Sequence, residues 1–309
     1  MHLLIPFAAW SAPDCQQRLP ALQLPHLARI LSRLQAGPRQ IVQPQDPLAA
    51  HERALAQALG LASPAPWAAL AAQRLGLAPG AQAWAFVTPC HWDIGQAQVT
   101  LHDPQQLKLQ NEEALALLAA MQPYFADDGL SLHFERADRW LVCGEPLRDV
   151  QGASLERMIG RNVAPWLPNS PLLRRLQNEI QMLLYTHPVN DARESRRQTT
   201  VNSFCLSGFG SLPASLPVVE PEPLQPLDLR GPVLQEDWGS WQAAWQRLDQ
   251  TECRALLGAL GEDKPARLTL CGENSWQSWA SPVQTSRLRR LLTRWRQPDP
   301  STILASLCK

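Results

Sequence analysis

Leu130-Ser131-Leu132-His133-Phe134-Glu135-Arg136-Ala137-Asp138-Arg139-Trp140-Leu141-Val142-Cys143 is the stretch on which the fold turns. From Leu130 to Phe134 apolar and polar residues alternate, the period of a strand with one buried face. Arg136-Ala137-Asp138 reads as a turn, and residues 140–143 as the returning strand. Working outward, a helix precedes this hairpin. Asn111 is placed to cap it, Glu112 and Glu113 sit in its first turn where carboxylates favour the positive dipole end, and Leu115, Leu118 and Met121 lie along it. Pro123 is expected to disturb its end. A longer helix follows the hairpin over residues 171–186, with Leu172, Leu173, Leu176, Ile180, Leu183 and Leu184 on one face and Arg174, Arg175, Asn178 and Glu179 opposite. Residues 84–88 and 98–101 read as earlier strands and 201–206 as the last. The order β-α-β-β-α-β is that of a ferredoxin-like α+β module.

The flanks read differently. Residues 3–7, Leu-Leu-Ile-Pro-Phe, suggest a buried strand ending near Pro6. With no basic residue before Arg18, a strand fits the stretch better than a secretory leader does. Leu27, Ile30, Leu31 and Leu34 follow helical spacing and stop at Gly37-Pro38; Asp46 before Pro47 looks like an N-cap; a third helix runs from Trp67 to Gly76. Residues 211–232 form a proline-rich connector. Beyond it come two helices, 237–248 and 251–260, broken near Asp249, then a strand at 267–271 and an amphipathic helix at 283–295. The expected organisation is therefore residues 1–80 as a strand plus helices, 81–210 as the α+β module, 211–232 as linker, and 233–309 as helices plus one strand. The fold class is α/β in the mixed, α+β sense, and the two end segments could share one sheet.

Composition removes several function classes. The 309 residues carry 28 acidic and 28 basic side chains, so net charge is zero. Overall charge therefore argues against a nucleic-acid partner. No apolar run approaches a membrane span, which argues against a membrane partner. Seven cysteines, an odd number, are widely spaced with no Cys-x-x-Cys, so reduced and mostly buried thiols are expected, together with a cytoplasmic location. Nothing in the chain asks for a cofactor.

The densest polar constellation is His187-Pro188-Val189-Asn190, followed by Arg193 and Asn202-Ser203. His187 continues the apolar face of the long helix, four residues after Leu183. An imidazole, two amides and a guanidinium suit a small anionic ligand, phosphorylated or carboxylated. The same residues would serve equally as a polar plug that satisfies loop backbone groups. Trp238, Trp241 and Trp245 form a stripe at i, i+3, i+7. Exposed, it would anchor a protein partner, and buried, it is core. Arg287, Arg290 and Arg294 surround Trp295 in a stretch without acids, suited to a partner's phosphates or to solvent.

His187-Pro188-Val189-Asn190, Arg193, Val201-Asn202, Gly208 and Gly210 resemble a motif of archaeal-type cofactor-independent phosphoglycerate mutases. Asn178–Leu184, Trp84-Ala85-Phe86-Val87-Thr88-Pro89-Cys90-His91, Arg139-Trp140 and Leu268–Glu273 look like a proteobacterial family of phosphoglycerate-mutase-like proteins. The second resemblance spans most of the chain, the first about residues 171–210. It implies a bacterial protein with a degenerate phosphatase-like core. Mutases of this kind use a Ser or Thr nucleophile and two divalent metals held by Asp and His. Here the family pattern breaks. Cys205 and Ser207 stand where two Trp are expected, and Arg197 where a Gly is. Histidines occur at 2, 26, 51, 91, 102, 133 and 187 and not beyond, no Asp-His dipeptide exists, and Ala8-Ala9-Trp10 follow the first strand where a metal carboxylate would stand. The expectation is a non-catalytic mutase-like protein, a pseudoenzyme that binds a small anion through His187, Asn190, Arg193 and Asn202 or acts as a regulatory protein. A protein- or nucleic-acid-interaction module built on the Trp and Arg residues is the alternative, and an active mutase the residual one.

Overall fold

The computed structural model describes residues 1–96, 98–217, 221–262, 264–282 and 298–308. The chain divides into two compact units, Met1–Leu61 with Pro217–Lys309 as unit 1 and Ala62–Leu216 as unit 2. The strands, in chain order, are β1 (His2–Ile5), β2 (Gln35–Ala36), β3 (Gln40–Ile41), β4 (Trp84–Cys90), β5 (Trp92–Ile94), β6 (Val99–Leu101), β7 (Ser131–Arg136), β8 (Arg139–Cys143), β9 (Ser203–Gly210), β10 (Arg267–Cys271) and β11 (Ser275–Ala280).

In unit 2 the hairpin β7–β8 forms as its alternation predicts, and the sheet order is β7-β8-β4-β9 with every pair antiparallel. Numbered within the module this is 2-3-1-4, the split β-α-β arrangement of a ferredoxin-like fold. Both long helices lie on one face. Leu117, Met121 and Phe125 of the helix Asn111–Asp127, and Leu173, Leu176, Ile180 and Leu184 of the helix Pro171–Tyr185, bury Ala85, Val87, Phe204 and Leu206. The opposite face presents Trp84 and Phe86 to Ala68, Ala69, Ala71 and Ala72 of the helix Trp67–Arg74. The Gly-x-Gly at the end of β9 belongs to this packing. Gly208 has φ +64°, and a Cβ there would fall 2.6 Å from the Phe86 ring; at Gly210, φ +146°, it would fall 2.8 Å from Pro66.

In unit 1 the two chain ends share one sheet. β1 pairs in parallel with β10, β10 antiparallel with β11, and β11 with β2 and β3. One face carries Leu3, Leu268, Leu270 and Trp279 into a core with Leu27, Ile30, Trp241, Trp245, Leu256 and Leu304. Trp241 Nε1 donates to Phe7 O (3.1 Å) and Trp245 Nε1 to Ala8 O (3.0 Å), so the two indoles hold the turn that follows β1. The other face carries Leu4, Cys271 and Trp276 against Ala50 and Ala54 of the helix Ala50–Ala58.

Several local expectations shift. Asp46 does not cap its helix; its Oδ1 takes the Leu48 N–H (2.9 Å) in a turn, and the helix starts at Ala50. Gln110, not Asn111, is the capping position of the helix Asn111–Asp127, where Glu113 reaches back to the Gln110 N–H (3.2 Å). That helix also runs through Pro123 to Asp127. The chain does not break at Asp249 either. A π-helical turn, Asp249–Cys253, joins the helices Trp238–Leu248 and Arg254–Gly261. Asp249 is fully buried. Its oxygens accept the backbone N–H of His26 (3.2 Å) and Leu27 (2.8 Å) and face His26 Nδ1 (2.8 Å). A distant residue thereby satisfies the open N-terminus of the helix Pro25–Leu31. The strand β11 and the helix Pro300–Leu307 had no counterpart in the sequence reading, and the helix expected over 283–295 lies outside the described residues.

Asp249→Ala should destabilise the protein by about 1–3 kcal/mol, because two buried N–H groups lose their acceptor. Urea unfolding measures this, and an unchanged midpoint with an unchanged slope would remove the capping role.

Candidate functional site

The four residues expected to line a pocket in unit 2 come together, but around backbone. His187 precedes the helix Pro188–Ser195, and its Nδ1 accepts the Val189 N–H (3.2 Å). Burial holds its pKa below the ordinary imidazole value, against a smaller upward pull from Asp191. Asn190, 5% exposed, donates to Leu184 O and Val201 O (both 2.8 Å) and accepts the Val201 N–H (2.9 Å). This single amide ties the end of the long helix to the entry of β9. Asn202 does the same across strands: its Oδ1 accepts the Trp92 N–H (2.7 Å) and its Nδ2 donates to Trp92 O (2.9 Å).

Arg193 is 1% exposed and spends its guanidinium on Thr199 O (2.8 Å), Leu107 O (2.6 Å) and Glu113 Oε2 (2.6 Å). Glu113 also takes Arg196. Burial raises the Glu113 carboxyl, but the Gln110 N–H and the two guanidiniums outweigh it and hold the group below the usual carboxylate range. The cluster is therefore a saturated staple, with the polar atoms of Asn190 and the three arms of Arg193 already spent on the protein. Asn190, Arg193 and Asn202, expected to line a ligand pocket, thus direct donors at backbone and Glu113, while His187, half-buried and accepting at Nδ1, carries the proton of its neutral ring on Nε2.

The tryptophan stripe is not a surface. Trp238 is 6% exposed and Trp241 and Trp245 are 0% exposed, because both of the latter indoles cap carbonyls beneath the unit 1 core. That corrects the partner surface expected of them. Arg287, Arg290 and Arg294 lie outside the described residues. All seven cysteines are free, six of them buried. Cys90 and Cys205 face each other at 3.6 Å, and burial pushes the Cys90 thiol up and away from reactivity.

An open polar site occurs elsewhere, on the outer face of the unit 1 sheet. Strand register sets it up. His2 opposes Arg267 and Arg267 opposes Ala280, while Leu4 opposes Thr269 and Thr269 opposes Ser278, so these side chains share one face. His2 Nε2 lies 2.9 Å from Thr269 Oγ1, which lies 2.8 Å from Ser278 Oγ. The two ends of this row, His2 and Ser278, line a cavity of about 400 Å3 together with Gln35, Gln57, Ser281 and Arg267, while Thr269 between them is buried. No carboxylate of the described residues lines it. Arg267 makes no ion pair with any described residue and is exposed. The His2 pKa is lowered to about 4, first by burial, then by the positive charges of Arg267 and the α-amino group. A second pocket, in unit 2, is far smaller, about 10 Å3, and is lined mainly by apolar side chains.

Sequence reasoning missed this site because it lies across three strands, one of which, β11, was not recognised. The usable signal was the alternation His2/Leu4 and Arg267/Thr269/Cys271, which puts polar groups on one face at one end of the sheet.

No family model matches the chain, and no curated protein does. Among solved structures it is similar to the cofactor-independent phosphoglycerate mutase from Thermoplasma acidophilum, at 14% identity over 100% of both chains with a TM-score of 0.35. It is similar also to the PH0037 protein from Pyrococcus horikoshii, at 12% identity over 91% of this chain and 87% of that one, with a TM-score of 0.47. The likeness to the mutase is distant. No described helix is long and apolar enough to cross a membrane.

Two outcomes follow from the two clusters. Arg193→Ala leaves the Glu113 carboxylate and two carbonyls without their partner and should cost about 3–5 kcal/mol, read as a lower urea midpoint. A midpoint within error of the parent would mean that the staple carries no stability. His2 has a folded pKa below its unfolded value, so the unfolded chain binds more protons between about pH 6.5 and about pH 4. Stability should therefore fall as pH is lowered through that window, and His2→Gln should flatten the slope there. An unaltered slope in the variant would show that the imbalance in protons arises elsewhere.

Proposed function

We propose that this chain is a non-catalytic binding protein for a small phosphorylated or carboxylated anion, held in the unit 1 cavity and not at the His187–Asn202 cluster. One observation carries the reading. The cavity is lined by one guanidinium, Arg267, by neutral polar groups, and by no carboxylate among the described residues. A carboxylate or phosphate entering it gains a charge-assisted contact with Arg267 and meets no repulsion. At the other cluster Arg193 is already neutralised by Glu113, and an incoming anion would have to displace that pair.

Catalysis of the mutase type is not part of the reading, and the reason is the residue inventory. Two-metal phosphoryl transfer needs several Asp and His ligands with an adjacent nucleophile. This chain has no His after residue 187, and Ala8 and Ala9 follow β1. The protein would then sense or carry its ligand, with regulation as the consequence of binding.

A thermal-shift titration with inorganic phosphate tests this. Ligand that binds only the folded state stabilises it by about 2.7 kcal/mol at a hundredfold excess over Kd. The melting temperature should rise with phosphate, and Arg267→Ala should abolish the rise. Arg193→Ala should lower the starting temperature yet keep the rise. The opposite pattern would return the ligand to the unit 2 cluster. Mutase turnover in a manganese-supplemented assay would overturn the non-catalytic reading.

A further inference from the structure

The floor of the unit 1 cavity is unusual in its hydrogen-bonding arithmetic. Thr269 is 1% exposed, and its hydroxyl has one proton and two neighbours, His2 Nε2 on one side and Ser278 Oγ on the other. Two arrangements satisfy the row. In the first, Ser278 donates to Thr269 and Thr269 donates to a His2 ring protonated on Nδ1. The lone pairs of Ser278 then face the cavity. In the second, a His2 ring protonated on Nε2 donates to Thr269 and Thr269 donates to Ser278. The Ser278 proton then faces the cavity. With its lowered pKa the imidazole is neutral at neutral pH, and both tautomers are accessible.

Ser278 is the open end of this row. It is half-buried and lines the cavity, and among its described contacts Thr269 Oγ1 is the hydroxyl's partner. Ser281, by contrast, is spent on Ala266, accepting its N–H (3.0 Å) and donating to its carbonyl (3.2 Å). Gln57 offers its amide nitrogen to the cavity side of the balance, since its Oε1 takes the Trp276 indole N–H (3.3 Å). A carboxylate oxygen or an ionised phosphate oxygen can only accept. A ligand hydroxyl both donates and accepts, and so it complements either arrangement of the row.

We infer that the cavity selects a hydroxylated anion, a polyol or sugar ring bearing one phosphate or carboxylate, with Arg267 on the charge and the Ser278–Thr269–His2 row on the hydroxyls. This rests on the anion-binding reading above and adds the class of ligand. A volume of about 400 Å3 lies in the range of small-molecule sites and exceeds what an inorganic anion needs. Thr269 does not reach the ligand. It is a positioning residue that couples the polarity of Ser278 to the tautomer of His2, and coupling through such a row strengthens each bond in it.

Isothermal titration calorimetry on the full chain separates the claims. The probes are D-glucose 6-phosphate, D-glucuronate, inorganic phosphate, acetate and D-glucose. At least one of the two hydroxylated anions should bind about tenfold or more tightly than its bare counterpart, phosphate or acetate, the factor that one well-made hydrogen bond supplies. Which one does so distinguishes a phosphorylated from a carboxylated ligand. Thr269→Val, which keeps the shape and removes the hydroxyl, should erase that preference, and Thr269→Ser should restore it. Ser278→Ala carries the same test should Thr269→Val fail to fold, as judged by its melting curve. Bare anions binding as tightly as hydroxylated ones would overturn this inference and leave the anion reading standing. Glucose binding as tightly as both anions would overturn both, and so would no binding of any probe.

Discussion

The structure of unit 1 depends on one pairing, the parallel ladder that sets His2 beside Arg267 and Ile5 beside Leu270. The partners stand at opposite ends of the chain, so the whole of unit 2 has to be accommodated between them. Closing so long a loop costs entropy that grows only logarithmically with length, and what offsets it is burial on both sides of the ladder. Leu3, Ile5, Leu268 and Leu270 go into the helical core, and Leu4 and Cys271 go under the helix Ala50–Ala58. The two indoles of Trp241 and Trp245 then fasten the carbonyls of Phe7 and Ala8, so the turn after β1 has only one place to go. Without this ladder neither the core nor the polar row on the opposite face would exist.

The staple in unit 2 shows why residue type alone misleads about function. An imidazole, two amides and a guanidinium are what an anion site needs, and also what a buried loop junction needs. At this junction the carbonyls of Leu107, Leu184, Thr199 and Val201 all take side-chain donors. Asn190 and Arg193 reach all four. A buried polar group left unpaired costs more than the bond to it returns, so such junctions select the same donors that a ligand would. What separates the two cases is whether a donor is left over, and that is a property of the folded arrangement.

Much of the fold was legible where one face of an element is apolar and the other is not. The hairpin β7–β8 and the helix Pro171–Tyr185 announce themselves by period, and β10 begins and ends where its alternation says. β11 did not announce itself. Ser275-Trp276-Gln277-Ser278-Trp279-Ala280 has polar or small residues on both faces, because Gln277 bonds Gly37 O from one side and Ser278 floors a cavity on the other. A strand whose outer face lines a ligand-sized space carries no hydrophobic alternation to read. The candidate site was illegible for the same reason, and in the motif that was legible Asn190 and Arg193 bond backbone carbonyls of their own module. Asp249 was misread in a related way. A polar residue between two helices suggests a break, but here its carboxylate serves the N-terminus of a third helix far away in the chain.

The cavity owes its existence to small side chains placed where a core would otherwise close. The helix Ala50–Ala58 lies over the outer sheet face, and toward the His2 end it offers Ala54 and Ala58, while the strands beneath offer Ala36, Gly37 and Ala280. A Cβ on Gly37 would come 3.2 Å from the Ser278 carbonyl, so that position resists enlargement from the strand side as well. Elsewhere on the same sheet face, Leu4, Val42, Cys271 and Trp276 pack with Ala50 and Ala54 of this helix. One sheet face thus has a filled half and an empty half, and the empty half is where the polar residues are. Filling it with larger apolar side chains would be the stabilising choice by burial alone. A layer kept open, floored by hydroxyls and rimmed by an arginine with no described ion-pair partner, gives up that burial, which is what a binding function would require.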